Sequence, residues 1–148
     1  MLRYWLVFVG VIGLDQVAKL LVQYYLTPGQ TIPVIGNLLH LTYMYNHGGA
    51  FGLFAGYVPL FLVSAIAVVL ASAVYVLRNR PEARMEIALA LVAGGAGGNL
   101  IDRVYLGYVV DYVDLGFWPV FNLADCAIVL GAAWMFYILV RPEPARGV

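Results

Sequence analysis

Apolar positions along the chain gather into four long runs, at 4–24, 57–77, 86–104 and 123–140, with polar stretches between them. Each run is close to the roughly 20 apolar residues a helix needs to cross the hydrocarbon core of a bilayer. The pattern predicts four transmembrane helices. The third run is rich in glycine and ends in polar residues. The first follows Arg3 and has the outline of a signal peptide. Asp15, Gln16 and Lys19 interrupt it, however, and no small-x-small cleavage site follows, so it is read as a retained helix. Between the first two runs the period changes: Leu39, Leu41, Tyr43 and Tyr45 alternate with His40, Thr42 and Met44, the period-2 pattern of a strand. Pro28-Gly29, Pro33 and Gly36 punctuate its approach and Gly48-Gly49 ends it, as turn signals do. The connection between the third and fourth runs carries Tyr105, Tyr108, Tyr112, Phe117, Trp118 and Phe121, a set suited to the lipid–water boundary. The expected architecture is one integral membrane domain over 1–148. Its class is membrane all-α with small β: a four-transmembrane-helix bundle with a strand-rich, outward-facing platform between helices 1 and 2. No internal repeat or low-complexity tract is visible.

Composition removes the soluble alternatives. Of the 148 residues, 64% are hydrophobic and 11% charged, more apolar surface than a core of that size hides from water. The formal net charge is zero, so nothing points to nucleic acid. The single cysteine, Cys126, cannot form an internal disulfide, and no Cys/His cluster suggests a metal or other cofactor. Arg3, the Arg78, Arg80 and Arg84 turn, and Arg141 with Arg146 all fall on one side of a four-span layout. The connection 27–56 holds no Lys or Arg, and 105–122 holds none after Arg103. By the positive-inside rule both termini are expected in the cytoplasm and both long connections outside.

Ionisable groups at membrane depth are costly, which makes each a candidate functional residue. Asn99, Asp102, Arg103, Asp111, Asp114, Asn122 and Asp125 cluster near the outer ends of the last two runs. Asn99, Asp102 and Arg103 are spaced i, i+3, i+4 and share a helix face, with Gly95 one turn earlier where another helix can approach closely. Asn122 and Asp125 are i, i+3 at the start of the fourth helix. Asp111 lies between, in a connection able to fold back toward Asp125. Two carboxylates in a poorly hydrated pocket cannot both ionise cheaply. One keeps its proton and the other acts as base, an arrangement able to direct water at a peptide carbonyl without metal or covalent intermediate.

Each feature also has a purely architectural reading. Asn122 with Asp125 is the pattern of a helix N-cap with an acid at N3. Asp102 and Arg103 could form a structural ion pair. Asp15 and Lys19, at i, i+4, could pair on the first helix with Lys19 snorkelling outward. The glycines from Gly94 to Gly98 precede no Lys-Ser/Thr, which favours helix packing over a phosphate loop. His40 and His47 lack the His-Glu-x-x-His spacing of a zinc protease, and Ser64 and Ser72 have no His or Lys partner in evidence.

Four segments in order, DQVAK (15–19), YNHGGAFG (45–52), GGNLIDRVYLGYVVDYV (97–113) and FNLAD (121–125), resemble the lipoprotein signal peptidase family, signal peptidase II. The resemblance covers essentially the whole chain. It implies a bacterial inner-membrane aspartyl endopeptidase, active toward the periplasmic face. Such an enzyme removes the signal peptide of prolipoproteins just before a cysteine already carrying diacylglycerol. Asp111 and Asp125 match the family's catalytic aspartates. Asn99, Asp102, Arg103 and Asn122 match residues expected to orient them and contact substrate, and Asn46 would line the substrate site. Asp15 matches an aspartate whose role looks structural, and Lys19 joins it. The implied partners are the diacylglyceryl-prolipoprotein and membrane lipid, with no cofactor, no nucleic acid and nothing that requires more than a monomer. The chain departs from the family's Gly-Ala-Ala-Phe at Gly48-Gly49-Ala50-Phe51, a small-for-small change that should loosen the loop slightly. Gly48, Gly49 and Gly52 would give the platform mobility as a clamp over the scissile bond. Asp114 is the local competitor of Asp111. A proton-coupled carrier using the same acids and a non-catalytic scaffold are the alternatives; a carrier's internal repeats are not visible.

Overall fold

The structure, a computed structural model, describes residues 1–48 and 58–141; the expectations placed on Gly49, Ala50, Phe51 and Gly52 lie outside the described residues. In chain order the elements are α1 (Leu2–Tyr25), β1 (Thr31–Ile35), β2 (Leu39–Asn46), α2 (Val58–Asn79), α3 (Ala83–Tyr105), β3 (Val109–Asp114) and α4 (Leu123–Val140). All four helices are long and apolar enough to cross a membrane. Three of them turn leucine and valine outward, including Leu6, Leu20, Val63, Leu130 and Leu139. Such side chains are at home in hydrocarbon, and a helix satisfies its backbone there without water.

The helix α3 is the axis of the bundle: 56% of its most apolar stretch is buried, against 17% for each of the others. Glycine makes this close packing feasible. A methyl group at Gly94 would lie 2.9 Å from Cβ of Val11, and one at Gly97 2.9 Å from Cδ1 of Ile12, so these two glycines admit α1. One at Gly95 would run into the Ala124 carbonyl and Ile128, so that glycine admits α4. The Gly-rich run is a packing surface with one helix on each side. At one end of the bundle Tyr4, Val76, Ala90 and Ala93 form a small core, where the Tyr4 hydroxyl donates to Oγ of Ser72 at 3.1 Å.

A three-stranded antiparallel sheet of order β1-β2-β3 closes the other end. Its middle strand is the one its alternation predicts. The third strand comes from the connection between α3 and α4, where only an aromatic belt was expected. Val109, Val110, Asp111 and Tyr112 are all buried, so β3 lacks the polar/apolar alternation that marks a half-buried strand. Val22 of α1 and Leu26 just after it pack with Tyr43, Val110 and Tyr112 in a second core that seats the sheet on the bundle.

Candidate active site

The site forms where β3, α3 and α4 meet. Asp111 is in the part of β3 paired with Met44 of β2, and its side chain is 1% exposed. Asp125 is in the first turn of α4, whose N-cap is Asn122. The Asn122 amide is the link between them. Its Oδ1 accepts the Asp125 N–H at 2.9 Å, its Nδ2 donates to Oδ1 of Asp111 at 2.7 Å, and its own N–H reaches Oδ2 of Asp125 at 3.3 Å. Both readings of the Asn122–Asp125 spacing therefore hold at once: a reciprocal capping box, with the capping residue also gripping a second carboxylate.

Two further asparagines complete the arrangement. Asn46, at the end of β2, donates to Oδ2 of Asp111 at 2.8 Å, and its Oδ1 accepts the Gly48 N–H at 2.9 Å. Asn99 donates to Oδ1 of Asp125 at 2.8 Å and also accepts from Asn122 at 3.1 Å. Backbone N–H groups can only donate, which fixes the oxygens of Asn46 and Asn122 and turns both NH₂ groups toward Asp111. The α4 N-terminus is anchored as firmly. The Leu123 N–H donates to the Tyr112 hydroxyl at 3.3 Å and the Ala124 N–H to Oδ1 of Asp15 at 3.0 Å. Together with the Asn122 cap, these satisfy donors that every helix start leaves unpaired.

Burial pushes the Asp111 carboxyl up to about 7, the charge of Asp125 adds to the rise, and hydrogen bonds from Asn46 and Asn122 hold it down. The Tyr112 hydroxyl is pushed up to about 12 by burial and stays neutral. Asp114 has a different environment. Its carboxylate accepts from Thr42 at 2.7 Å and from the Gly116 N–H at 2.8 Å, bonds that hold it below the usual carboxylate range. Three residues along a strand reverse the face, so Asp114 points away from the side on which Asp111 meets the asparagines.

Behind the carboxylates lies a buried ionic cluster. Lys19 Nζ is 2.8 Å from Oδ2 of Asp15 and 2.8 Å from Oδ2 of Asp102, and it donates to Oδ1 of Asn99 at 2.9 Å. This corrects two expectations. Lys19 does not snorkel: it is 1% exposed, because two carboxylates on adjoining helices give its charge a better environment than the interface. Asp102 does not pair with Arg103 but with Lys19, while also accepting from Gln16 at 2.9 Å and the Val110 N–H at 3.1 Å. Neighbours in sequence point to different sides of a helix, which is why Arg103 faces elsewhere. Its guanidinium donates to the carbonyls of Asn99 and Gly48, both at 3.4 Å, and lies 5.2 Å from the Phe61 ring centre. Gln16, which interrupts the first apolar run, is a further member of this cluster. It joins Asp15, Asp102 and the Gly98 carbonyl, and a polar amide at membrane depth is the signal that marks it.

Asp111, Asp125, Asn46, Asn99 and Arg103 line an open cavity of 1240 Å³, walled by Val109, Phe117, Trp118, Phe121, Ile128 and Val129. Asp102, Asn122, Asp15 and Lys19 stand behind its wall. A smaller cavity of 270 Å³ runs between α2, α3 and α4, lined by Phe61, Ala65, Val68 and Val92. Asn99, Arg103, Asp125 and Ile128 border both cavities. Among the described residues no group of three or more His, Cys, Asp and Glu could hold a metal ion.

Four apolar helices capped by a sheet, with two linked carboxylates opening on an apolar cavity, have the form a membrane aspartyl hydrolase requires. The family model for signal peptidase (SPase) II matches residues 7–141. A lipoprotein signal peptidase of Halothermothrix orenii is 43% identical over 94% of this chain and 96% of its own length. One of Moorella thermoacetica is 44% identical over 93% and 92%. A bacterial membrane enzyme solved by the in meso method at 2.3 Å resolution superposes with a TM-score of 0.90 at 29% identity, covering 98% of this chain and 93% of that one. A second, at 1.9 Å resolution, gives 0.85 at 30% identity over 95% and 94%. This chain belongs to the signal peptidase II family. It is a membrane peptidase, and these likenesses give the carrier reading no support.

Proposed function

We propose that the protein is an aspartyl endopeptidase of the bacterial inner membrane that cleaves diacylglyceryl-prolipoproteins immediately before the lipidated cysteine, with Asp111 and Asp125 as the catalytic pair. One observation carries this reading: carboxylates from β3 and α4 meet at a single buried residue, Asn122, whose side-chain NH₂ donates to Asp111 and whose backbone N–H donates to Asp125, and both open on the same cavity. Asp111, buried and raised to about 7, holds the proton that the pair shares, and Asp125 is the base. Asp125 takes a proton from water as the water oxygen attacks the scissile carbonyl, and Asp111 gives its proton to the carbonyl oxygen. On collapse, Asp125 passes its proton to the leaving nitrogen and Asp111 recovers its own from the gem-diol. Asn46, Asn99 and Asn122 hold the carboxylates, and Arg103 and Asn46 are placed to meet substrate backbone.

The lipid anchor keeps the substrate in the bilayer, so the scissile bond comes to the carboxylates at the edge of the hydrocarbon core. The acyl chains lie between helices with the signal helix alongside. The Lys and Arg distribution supports cytoplasmic termini and a site toward the outer face. The chain acts as a monomer, with the site built from one copy. Purified protein in lipid should cleave a lipidated prolipoprotein to a product starting at the diacylglyceryl cysteine, read by mass spectrometry, and leave the unlipidated precursor whole. Equal cleavage of both precursors, or of neither, would contradict this.

A further inference from the structure

The Asn99 amide is fixed differently from those of Asn46 and Asn122. Its NH₂ faces Oδ1 of Asp125 because its oxygen is taken, and the strongest donor to that oxygen is the ammonium of Lys19 at 2.9 Å, with Asn122 at 3.1 Å. An ammonium has three donors and no acceptor. With Lys19 in place, turning Asn99 over would set NH₂ against NH₃⁺ and an oxygen against Asp125. Lys19 itself is held by Asp15 and Asp102 at 2.8 Å each and is closed to solvent. The direction of hydrogen bonding thus runs from a charge on α1, through an amide on α3, to a carboxylate on α4.

We propose that Lys19 is a positioning residue: by fixing the donor direction of Asn99 it keeps Oδ1 of Asp125 an acceptor, so that Asp125 enters the reaction ionised and ready to take the proton of water. This rests on the reading of Asp125 as base. Without the lysine, the Asn99 oxygen keeps only the longer bond from the Asn122 NH₂, which is shared with Asp111. Asn99 then turns over more readily, and an Asn99 oxygen facing Asp125 is satisfied only by a protonated Asp125. The role is additional to the ion pairing that braces α1 against α3. Among the described residues, the charged or titratable groups around Asp125 include Asp111 and Tyr112 from β3, Arg103 and Asp102 from α3, Asp15 and Lys19 from α1, and Cys126 beside it on α4.

The test compares pH–rate profiles for cleavage of a lipidated prolipoprotein by wild type, Lys19→Gln, Lys19→Met and Asp15→Asn/Lys19→Met. The double variant removes one carboxylate with the ammonium, so the net charge of the buried cluster is unchanged, and the amide oxygen introduced in place of the carboxylate can still accept the Ala124 N–H. It is the form to measure if Lys19→Met does not fold. Glutamine keeps a donor for Asn99 without the charge; methionine keeps neither. Losing the charge alone would move the profile equally in the Gln and Met variants. Losing the donor moves the acidic limb to higher pH only in the Met variants, by about one unit, the scale of one hydrogen bond. At a pH below that limb the Met variants then fall about tenfold further than Lys19→Gln, while above it the gap closes. Overlapping profiles for Gln and Met, or Met variants with lower rates and an unmoved acidic limb, would overturn the proposal and leave Lys19 as a brace. An inactive wild type, or a fully active Asp125→Asn, would instead defeat the reading of the site itself.

Discussion

Asn122→Ala isolates the junction between helix cap and catalytic pair. Four interactions are lost: the cap on the Asp125 N–H at 2.9 Å, the bond to Asp111 at 2.7 Å, the bond to Asn99 at 3.1 Å and a long bond to the Val110 carbonyl at 3.4 Å. An N-cap is worth about 1 kcal/mol, and a hydrogen bond to a charged or potentially charged group about 1.5–3 kcal/mol. Asn99 keeps Lys19 as a donor, so its loss adds little. The expected destabilisation is about 2–4 kcal/mol, read by thermal unfolding in detergent. Activity changes in a defined direction as well. The Asp111 carboxyl stands at about 7 with burial raising it and the Asn122 hydrogen bond among the contacts that hold it down. Removing that bond raises the carboxyl further, and the alkaline limb of the rate profile, where Asp111 loses its proton, moves to higher pH by about one unit. Asn122→Ser separates the two effects, because serine caps a helix about as well as asparagine but is too short to reach Asp111. The serine variant should regain most of the cap stability and keep the displaced limb. An Ala variant whose profile overlays the wild type, or a Ser variant that restores the limb, would refute this division of labour.

Four other expectations follow from the same geometry. Gly95→Ala places a methyl against the Ala124 carbonyl and Ile128 and should cost about 1–3 kcal/mol with loss of cleavage, since Asn99 lies one turn on. Gly13→Ala, where an added methyl meets nothing within 4 Å, should leave cleavage unchanged and cost no stability, alanine being the better helix former by up to about 1 kcal/mol. Asp114→Asn should leave the cleavage rate within about twofold of wild type, as expected for a surface substitution away from the site. The carboxyl of Asp111 is raised from 3.8 to about 7 in the folded protein. Its contribution to stability is therefore fully present below pH 3.8 and lost as pH rises toward 7. Asp111→Asn should abolish that loss, so its melting temperature should rise relative to wild type between about pH 4 and pH 8; parallel curves would argue against a buried, proton-holding Asp111.

The helices were legible because lipid demands long uninterrupted apolar runs, and β2 because its sequence alternates from Leu39 to Tyr45 between turn signals. The strand β3 was not, since a strand buried on both faces carries no alternation. In the site, the i, i+3, i+4 spacing of Asn99, Asp102 and Arg103 was legible but their division was not. Asp102 turned to Lys19 and Arg103 to the Asn99 and Gly48 carbonyls, choices that depend on which helix packs against each face. The Asp15–Lys19 pair was visible from spacing, yet its inward direction depended on a carboxylate from α3. Asn122 could be read as cap or as site residue from sequence, and the capping geometry lets one side chain serve as both.

The central claim is that Asp111 and Asp125 are both required for chemistry and neither for folding. Its most direct test is cleavage of a purified diacylglyceryl-prolipoprotein by wild type, Asp111→Asn and Asp125→Asn, each first checked for a cooperative melt. Wild type should cleave immediately before the lipidated cysteine. Each variant should be folded and slower by about 100-fold or more, the range of general acid–base catalysis. A folded variant at either position that cleaves at the wild-type rate would contradict it.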